Sequence, residues 1–449
     1  MVQVEIVRTQ ELGDRSYVAH DGQVAIVIDP QRDVERVEDV LRRLELECSF
    51  VVETHIHNDY VTGGYALARR TGAEYLVAAV DDVLFERRSV ADGDEFHAGS
   101  MTLRVVATPG HTDGHLAFVV SGDDDAPVVF SGGSLLYGSV GRTDLVDGER
   151  TDELTRAQYR SVRRLAGQLE DPVALYPTHG FGSFCSSGTA AGGDESTIGI
   201  ERARNDALVT NDEDDFVQRL MAGLTAYPSY YAHMRPLNIR GPHEVELASP
   251  TILSPVELAE NITAGEWVVD LRPRADFAAS HAAGTINMEL GDNFSTYLGW
   301  LMPWGSPLTL MGESTDQIER ARTHLARIGV DQSVNAVIGA IRTLTTSLSI
   351  RHYRRASFAE LSREAPATVL DVRRDDEVAK GAIVGSTHIP LHALGTRLGE
   401  LSNGPLWVHC ASGFRASIAA SLLDRSGRDV VLVDDDFSNA RGLVHQSVN

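Results

Sequence analysis

The sequence predicts an α/β protein of three domains, and three observations support this prediction. At 449 residues, the chain is too long for one ordinary hydrophobic core. In its first part, strand-like apolar segments alternate with helix-like segments, and each strand ends in a polar loop, which is where α/β folds place their sites. The remainder of the chain contains an internal repeat, which indicates two related domains in tandem.

Four strand-like segments in the first part are each followed by residue types that bind metals or form tight turns. The segments are 50–53, 103–108, 128–130 and 174–176, and the loops that follow contain HIHND, PGH, SGG and PTH. Residues 214–235 have a helical pattern, and the stretch 236–250 is interpreted as a linker because it is rich in proline and glycine.

The internal repeat has an offset of 101 residues. VVDLR at 268–272 matches VLDVR at 369–373, and Gly284 matches Gly385 at the same offset. Where the second copy has Cys410, the first has the segment MGES, so only the second copy is expected to perform thiol chemistry. We therefore predict domains at 1–240, 250–345 and 353–449.

Composition argues against some classes of partner, although a strong negative charge is also explained by solubility alone. A net charge of −24 argues against nucleic acid or an anionic membrane as a partner, since both require a basic face. The chain has no long apolar run, and its N-terminus alternates like a strand, so we expect a cytoplasmic protein. Its three cysteines cannot form a disulfide framework and fit a reducing compartment.

The HIHND loop is typical of a metal site. His55, His57 and Asp59 can converge on one ion from this loop, and His111 and His179 can join them from other strand ends. Imidazole and carboxylate suit Zn²⁺ or Fe²⁺. A lone histidine in such a loop is most often a satisfied turn residue, but four histidines and one aspartate in these contexts favour a metal site.

The HCASGFR loop is typical of a cysteine nucleophile. Cys410 follows a strand-like segment and precedes a helix-like one, and the N-terminus of a helix favours a thiolate. Arg415 can fold back to stabilise a thiolate, a persulfide or an anionic sulfur donor. Cys48 is interpreted as a packed small residue. Cys185 lies six residues beyond His179 and is interpreted either as a catalytic thiol or as an incidental exposed one.

Residues 1–240 resemble the metallo-β-lactamase superfamily, on the HIHND loop and the PGHTDGH segment at 109–115. The resemblance implies an αββα fold. The segments GRTDL at 141–145 and TIGIER at 197–202 are similar to those of its persulfide dioxygenase branch. That branch holds one iron by the first histidine, the Pro-Gly-His histidine and an aspartate after a Phe-Thr-Gly turn.

Two of those three ligands carry over, as His55 and His111. The third does not, because Gly133 stands where the aspartate belongs, and Tyr60 replaces the last histidine of the superfamily signature. Both changes remove ligands of a second metal, which disfavours a two-zinc hydrolase of the glyoxalase II type. The resemblance then implies one Fe²⁺ per chain, with Zn²⁺ as the alternative, completed by His57 or Asp59.

The sequence leaves two outcomes open for the substitution Gly133→Asp. If the missing carboxylate weakens a competent site, Gly133→Asp should raise iron occupancy and oxygen uptake. If Asp59 already fills that role, the added charge should crowd the ion, and activity should fall or stay flat.

Residues 250–449 resemble the rhodanese family in both copies. The resemblance rests on the Cys410 loop, the DVR segment at 371–373 and the GSTHIP segment at 385–390. Four residues separate Cys410 from Arg415, one fewer than in tyrosine phosphatases, so the loop is better sized for sulfur than for phosphate. The first copy lacks the catalytic cysteine.

Together the resemblances imply an enzyme of sulfur metabolism. It would oxidise a low-molecular-weight persulfide, such as glutathione persulfide, with O₂ to sulfite, and it would exchange sulfane sulfur with thiosulfate through a persulfide on Cys410, poised by Arg415. Two alternatives stay open: a sulfur carrier with a degenerate metal domain, and a thioester hydrolase of the glyoxalase II type. The sequence does not identify the thiol that carries the sulfur, and it leaves a homo-oligomer open.

Overall fold

The computed structural model describes residues 1–123, 126–188, 193–245, 247, 249–331, 334–341 and 348–445. The chain divides into two structural units, with the main boundary close to residue 246. One comprises Met1–Glu246 with Leu325–Gly329, and the other comprises Leu247–His324 with Val330–Asn449.

Two mixed β-sheets form the centre of the N-terminal unit. The first contains, in spatial order, Gln3–Thr9, Asp14–His20, Val24–Ile28, Glu47–Val52, Glu74–Ala78 and Arg88–Val90. Its neighbouring strands are antiparallel as far as the third strand and parallel beyond it. The second sheet contains Ala174–Pro177, Val128–Gly132, Leu116–Ser121, Met101–Ala107 and Glu95–Ala98. Only its first two strands are parallel to each other.

The two sheets pack face to face and are covered by helices on both outer faces. Apolar side chains from both sheets, among them Ile26, Phe50 and Phe118, form the buried layer between them. Helices Glu35–Arg43 and Gly64–Thr71 pack on the outer face of the first sheet. The second sheet is covered by Thr151–Gly167, Ile198–Arg204, Asp206–Val209 and Glu213–Gly223. The αββα fold predicted from the sequence is confirmed.

The prediction of one helix over residues 214–235 is wrong in its limits. The helical stretch is interrupted, and its second part, Tyr231–Arg240, continues through Pro236 into the predicted linker. A proline inside a helix removes one backbone hydrogen bond, which usually ends or bends the helix. Here Asn238 Nδ2 donates to two backbone oxygen atoms of the HIHNDY segment, at 2.9 and 2.8 Å. These tertiary hydrogen bonds hold the helix in place beyond the proline.

The second unit contains two five-stranded parallel sheets with the same strand order. The first sheet runs Thr251–Ile252, Asn335–Ile338, Leu308–Gly312, Trp267–Asp270 and Ile286–Asn287. The second runs Arg354–Ala356, Val430–Val433, Leu406–His409, Val369–Asp371 and Thr387–His388. In each sheet, the first strand along the chain is at one edge, followed by the fifth, fourth, second and third. We call these sheets, with their helices, the first and the second repeat.

The residues that reveal the repeat in the sequence make the same contacts in both copies. Arg272 folds back on Asp270, and Arg373 folds back on Asp371, with a shortest N–O distance of 2.6 Å in each pair. Each guanidinium also donates to a backbone oxygen atom eight residues further along. The matching motifs therefore have a common structural role. The domain limits at 240, 250, 345 and 353 stay a prediction, which the shared strand order supports.

Helices flank both repeat sheets. The first repeat has Pro255–Thr263, Arg274–Ala279, Phe294–Leu301 and Thr315–Arg327. The second has Phe358–Glu364, Asp375–Ala379, Leu394–Arg397 and Phe414–Arg425, with short 3₁₀ turns at Leu391–Ala393, Leu398–Glu400 and Phe437–Ala440. Two short antiparallel pairs complete them: His281–Ala282 with Ile350–Arg351, and Ala382–Ile383 with Val444–His445. Among the described residues, no helix is long and apolar enough to cross a membrane.

Candidate metal centre and cysteine loop

The four polar loops predicted from the sequence meet at one edge of the N-terminal sandwich. They follow the strands that end at Val52, Ala107, Gly132 and Pro177. All five metal-ligand candidates lie together there and are buried: His55, His57, Asp59, His111 and His179. The structure therefore brings together every residue that the sequence analysis proposed for this site.

Three histidines form one of the groups that could hold a metal ion. Nitrogen atoms of His55, His111 and His179 lie within 4.8 Å of one another. His55 Nε2 and His179 Nε2 are 3.3 Å apart. Burial lowers the pKa of His111 to about 3 and that of His55 well below its usual value. Both rings are therefore neutral, which is the form that binds metal.

Hydrogen bonding selects the nitrogen atom of His111 that faces this group. His111 Nδ1 lies 2.6 Å from the backbone oxygen atom of Arg142, so Nδ1 carries the proton and donates it. His111 Nε2 then keeps its lone pair, and no described residue forms a hydrogen bond with it although it is fully buried. A buried nitrogen without a partner is costly, so its presence beside two other imidazoles fits a metal ion.

Asp59 lies behind His179. Its Oδ2 is 3.2 Å from His179 Nδ1, and Asp14 Oδ1 is 2.8 Å from the same nitrogen. Burial opposes a charge on His179, but Asp59 and Asp14 raise its pKa well above the usual value. Asp59 also forms a second possible ligand group with His57 and His179. Its contact with Nδ1 is the arrangement in which a carboxylate orients a ligating histidine.

The Nε2 atom of His57 is surrounded by two carboxylates and a tyrosine hydroxyl. It is 2.9 Å from the Tyr60 hydroxyl, 3.2 Å from Glu53 Oε2 and 3.4 Å from Asp29 Oδ1. Burial opposes protonation of His57, but Asp29 and Glu53 raise its pKa to about 9. These three residues thus occupy the space around Nε2. Asp29, Glu53 and His57 also form a group that could hold a metal ion. His57 Nδ1 is buried and forms no hydrogen bond with any described residue, so this nitrogen atom could also bind a metal ion.

The structure adds His115 to the cluster, a residue that the sequence did not single out as a site residue. Its ring centre lies 4.9 Å from that of His55, and its Nε2 accepts a hydrogen bond from the Gly133 N–H at 2.9 Å. The signal was its position four residues after His111 in the PGHTDGH segment. Asp29 and Glu53 gave no signal, because they come from different strand ends and meet only in the folded chain.

Gly133 is in contact with the His111 ring. A Cβ atom built at this position would overlap Cδ2 of His111 and lie 2.7 Å from its Nε2. The aspartate that the family pattern places here thus has no room while His111 keeps its present position.

Gly133→Asp is therefore expected to lower metal occupancy and oxygen uptake, not to raise them. The new side chain must displace the His111 ring, and this removes one nitrogen atom from the three-histidine group. Metal analysis of the purified variant, alongside oxygen uptake, measures the effect. Gly148→Asp is a matched control, since a Cβ at that glycine meets no atom within 4 Å. Raised occupancy in Gly133→Asp would contradict the steric argument.

Cys185 is not the exposed thiol that one reading of the sequence suggested. The residue is fully buried, close to Asp59. Burial raises the pKa of this thiol well above its usual value, and the charges of Asp59 and Asp14 raise it further. The loop after His179 therefore packs Cys185 against the carboxylates of the metal centre.

Cys410 lies at the start of a helix, as predicted. It follows the strand Leu406–His409, and the helix Phe414–Arg425 begins four residues later. The Gly413 N–H donates to Cys410 Sγ at 3.2 Å, and Gly413 has φ 91°, a left-handed conformation that favours glycine. Backbone N–H groups at a helix start stabilise negative charge on sulfur.

Arg415 is bound to a carboxylate. Its NH1 and NH2 donate to Oε2 and Oε1 of Glu377, at 2.5 and 2.8 Å. Burial opposes ionisation of Glu377, but Arg415 lowers its pKa to about 2. From the sequence, Arg415 was expected to face the sulfur, and no motif indicated this acidic partner. Glu377 fixes the direction in which the guanidinium points.

The corresponding loop of the first repeat is closed by a side chain. It follows the strand Leu308–Gly312 and has no cysteine. Gln317 Oε1 accepts the Glu313 N–H at 2.8 Å, and Gln317 Nε2 donates to the Leu271 backbone oxygen atom at 3.1 Å. A backbone N–H that would otherwise be available to an anion is thus already satisfied.

Two family models match the chain. The model of the metallo-beta-lactamase superfamily matches residues 13–179, and that of the rhodanese-like domain matches residues 355–441. The persulfide dioxygenase ETHE1 of Homo sapiens is 27% identical over 244 residues, which cover 54% of this chain and 81% of the relative. A hydroxyacylglutathione hydrolase of Parasynechococcus marenigrum is 36% identical over 151 residues, which cover 32% of this chain and 57% of the hydrolase.

A solved structure agrees with the fold. The crystal structure of a metallo-beta-lactamase from Staphylococcus aureus subsp. aureus COL superposes with a TM-score of 0.66 at 25% identity. The match covers 76% of this chain and 99% of that one.

Proposed function

We propose that this chain, which belongs to the metallo-β-lactamase superfamily in its N-terminal part and carries a C-terminal rhodanese-like domain, oxidises a low-molecular-weight persulfide to sulfite and transfers sulfane sulfur. In the first reaction, a persulfide RSSH, O₂ and water yield the thiol RSH, sulfite and two protons. The observation that carries this proposal is the convergence of His55, His111 and His179 in a domain similar to persulfide dioxygenase.

The residues of the centre fit one metal ion, which we propose to be Fe²⁺. When bound, Fe²⁺ would supply the redox chemistry with O₂ that amino-acid side chains lack. His55 and His111 are neutral donors, and His111 is oriented by its hydrogen bond to the Arg142 backbone. Asp59 orients His179 from behind. The carboxylates at this centre balance the charge of a cation.

In the second reaction, Cys410 would take up the outer sulfur atom of thiosulfate. The Cys410 thiolate attacks that atom, the S–S bond of thiosulfate breaks, and sulfite leaves with the electron pair. A persulfide on Cys410 remains, and a nucleophile such as cyanide or a thiolate accepts its outer sulfur. The Gly413 N–H, 3.2 Å from Sγ, stabilises the negative charge on the attacking thiolate.

One other function has a specific observation in its favour. The similarity to a hydroxyacylglutathione hydrolase supports hydrolysis of a glutathione thioester. Against it stand Gly133 and Tyr60, which replace the bridging aspartate and one histidine ligand of the second metal in the superfamily pattern.

Oxygen uptake with glutathione persulfide tests the proposal. Protein purified without oxygen and loaded with Fe²⁺ should consume one O₂ for each sulfite formed. S-lactoylglutathione, supplied to the same preparation and to a zinc-loaded one, tests the hydrolase. Thioester hydrolysis without oxygen uptake would contradict persulfide oxidation and show that the metal centre is that of a thioester hydrolase. If neither reaction occurs while thiosulfate still yields thiocyanate, a sulfur carrier with a degenerate metal domain is the correct function.

A further inference from the structure

An arginine of the first repeat contacts the cysteine loop of the second. Arg274 begins the helix Arg274–Ala279, on a repeat that has no catalytic cysteine of its own. Its NH2 donates to the backbone oxygen atom of Ser412 at 3.2 Å, and its Nε donates to Asp434 Oδ1 at 2.6 Å. Its third nitrogen is paired with Glu289. The guanidinium is thus held at three points, one of which is the loop.

The loop contact involves the peptide group that faces the sulfur. The Ser412 carbonyl and the Gly413 N–H belong to one planar peptide unit, so fixing one end fixes the direction of the other. Arg274 donates to the carbonyl oxygen of this unit, and Cys410 Sγ accepts a hydrogen bond from its N–H on the opposite side. The positively charged guanidinium next to the carbonyl oxygen also polarises the peptide unit and strengthens its N–H as a donor.

The surroundings of Gly413 leave little freedom to this peptide. A Cβ atom at Gly413 would overlap Asp434 Oδ1 and lie 3.0 Å from Arg274 Nε. The start of the helix after the loop is also fixed on the first repeat, since Ser417 Oγ donates to Asn287 Oδ1 at 2.5 Å. The ring of Tyr297 meets that of Phe414 edge to face, at 5.7 Å.

We propose that Arg274 is a positioning residue for sulfur transfer at Cys410, acting through the Ser412–Gly413 peptide. The first repeat, which lacks a nucleophile, thereby completes the reactive loop of the second. This inference rests on the proposed sulfurtransferase function, but reaction of Cys410 with an alkylating agent tests it even if that function fails.

Arg274→Ala in the full-length chain is the main test, with iodoacetamide as the probe of Cys410. The pH profile of Cys410 alkylation, followed by mass spectrometry, should move to higher pH. The turnover of thiosulfate with cyanide should fall by roughly tenfold, about what the loss of one hydrogen bond to a charged group costs. The other charged groups near the loop, Arg415, Glu377, Arg374 and Asp434, are unchanged in this variant.

Arg355→Ala is the matched control. Arg355 binds Asp434 at 2.7 Å from another side, so its loss removes a positive charge from the same carboxylate without changing the Ser412 contact. We expect a wild-type alkylation profile for this variant. An equal shift in both variants would show a general charge effect and overturn the proposal, as would a wild-type profile in Arg274→Ala.

Arg274→Lys keeps the test valid if Arg274→Ala does not fold. Lysine retains the charge, but its single ammonium cannot bind the Ser412 oxygen and Asp434 in the two directions that a guanidinium provides. The pH profile of Cys410 alkylation in this variant should lie between those of the wild type and Arg274→Ala. If only the lysine variant folds, its profile should be shifted to higher pH than that of the wild type. A wild-type profile and turnover in Arg274→Lys would show that the directed contact is dispensable.

Discussion

Cys410→Ser is expected to abolish sulfur transfer from thiosulfate to cyanide, by roughly a thousandfold or more, since loss of a covalent nucleophile has effects of at least that scale. A serine hydroxyl cannot form a persulfide. Its oxygen atom can still accept the Gly413 N–H that Sγ accepts in the wild type, so the loop should keep its conformation. Thiocyanate formation at steady state measures the loss.

Cys48→Ser is the control for this substitution. Cys48 is also buried, but in a strand of the N-terminal unit, where its thiol donates to the Phe50 backbone oxygen atom at 3.6 Å. The variant should transfer sulfur at the wild-type rate. Appreciable transfer by Cys410→Ser, with normal behaviour of the control, would show that another thiol carries the sulfur.

The second large effect is expected from the double variant His55→Ala, His111→Ala. The wild type, purified without oxygen, should hold about one iron ion per chain, because a mononuclear site needs at least three protein ligands and three histidines converge here. The double variant removes two of those three. Its iron content should fall below about a tenth of that value, and oxygen uptake should be lost with it.

His20→Ala controls for the loss of a buried histidine. His20 lies in the strand Asp14–His20 and belongs to none of the three possible ligand groups among the described residues. This variant should keep its iron. Two zinc ions per chain in the wild type, or metal retained by the double variant, would contradict a mononuclear site at these histidines.

Much of the fold was predictable from the sequence because its signals are local or periodic. Each apolar strand of the first part ends in a recognisable loop, and the second part repeats its motifs at a fixed offset. The helix Tyr231–Arg240 was not predictable, since the bonds that stabilise it beyond Pro236 come from Asn238 and a loop far away in the sequence. Local propensity favoured a break that tertiary contacts prevent.

The members of the metal centre were predictable, but their orientations were not. His55, His111 and His179 each follow a strand, which predicts that they lie together at one edge of the sheets. Which nitrogen atom faces the centre depends on partners such as the Arg142 carbonyl, which no motif specifies. The glycine- and serine-rich composition around Cys185 suggested an exposed loop, whereas the fold buries that thiol against Asp59.

The short connection between the two repeats decides how sulfur can travel. The strand Ile350–Arg351 pairs with the first repeat, and the first strand of the second repeat begins at Arg354, so two residues join them. From Arg351 to Arg354 the chain makes three Cα–Cα steps of about 3.8 Å, so the connection spans at most about 11 Å. The Tyr353 N–H is also bonded to the Ala278 backbone oxygen atom at 2.9 Å. Cys410 therefore does not sit on a swinging arm that visits distant partners. Its position is fixed in the fold, so each sulfur donor and each acceptor must diffuse to Cys410 in turn.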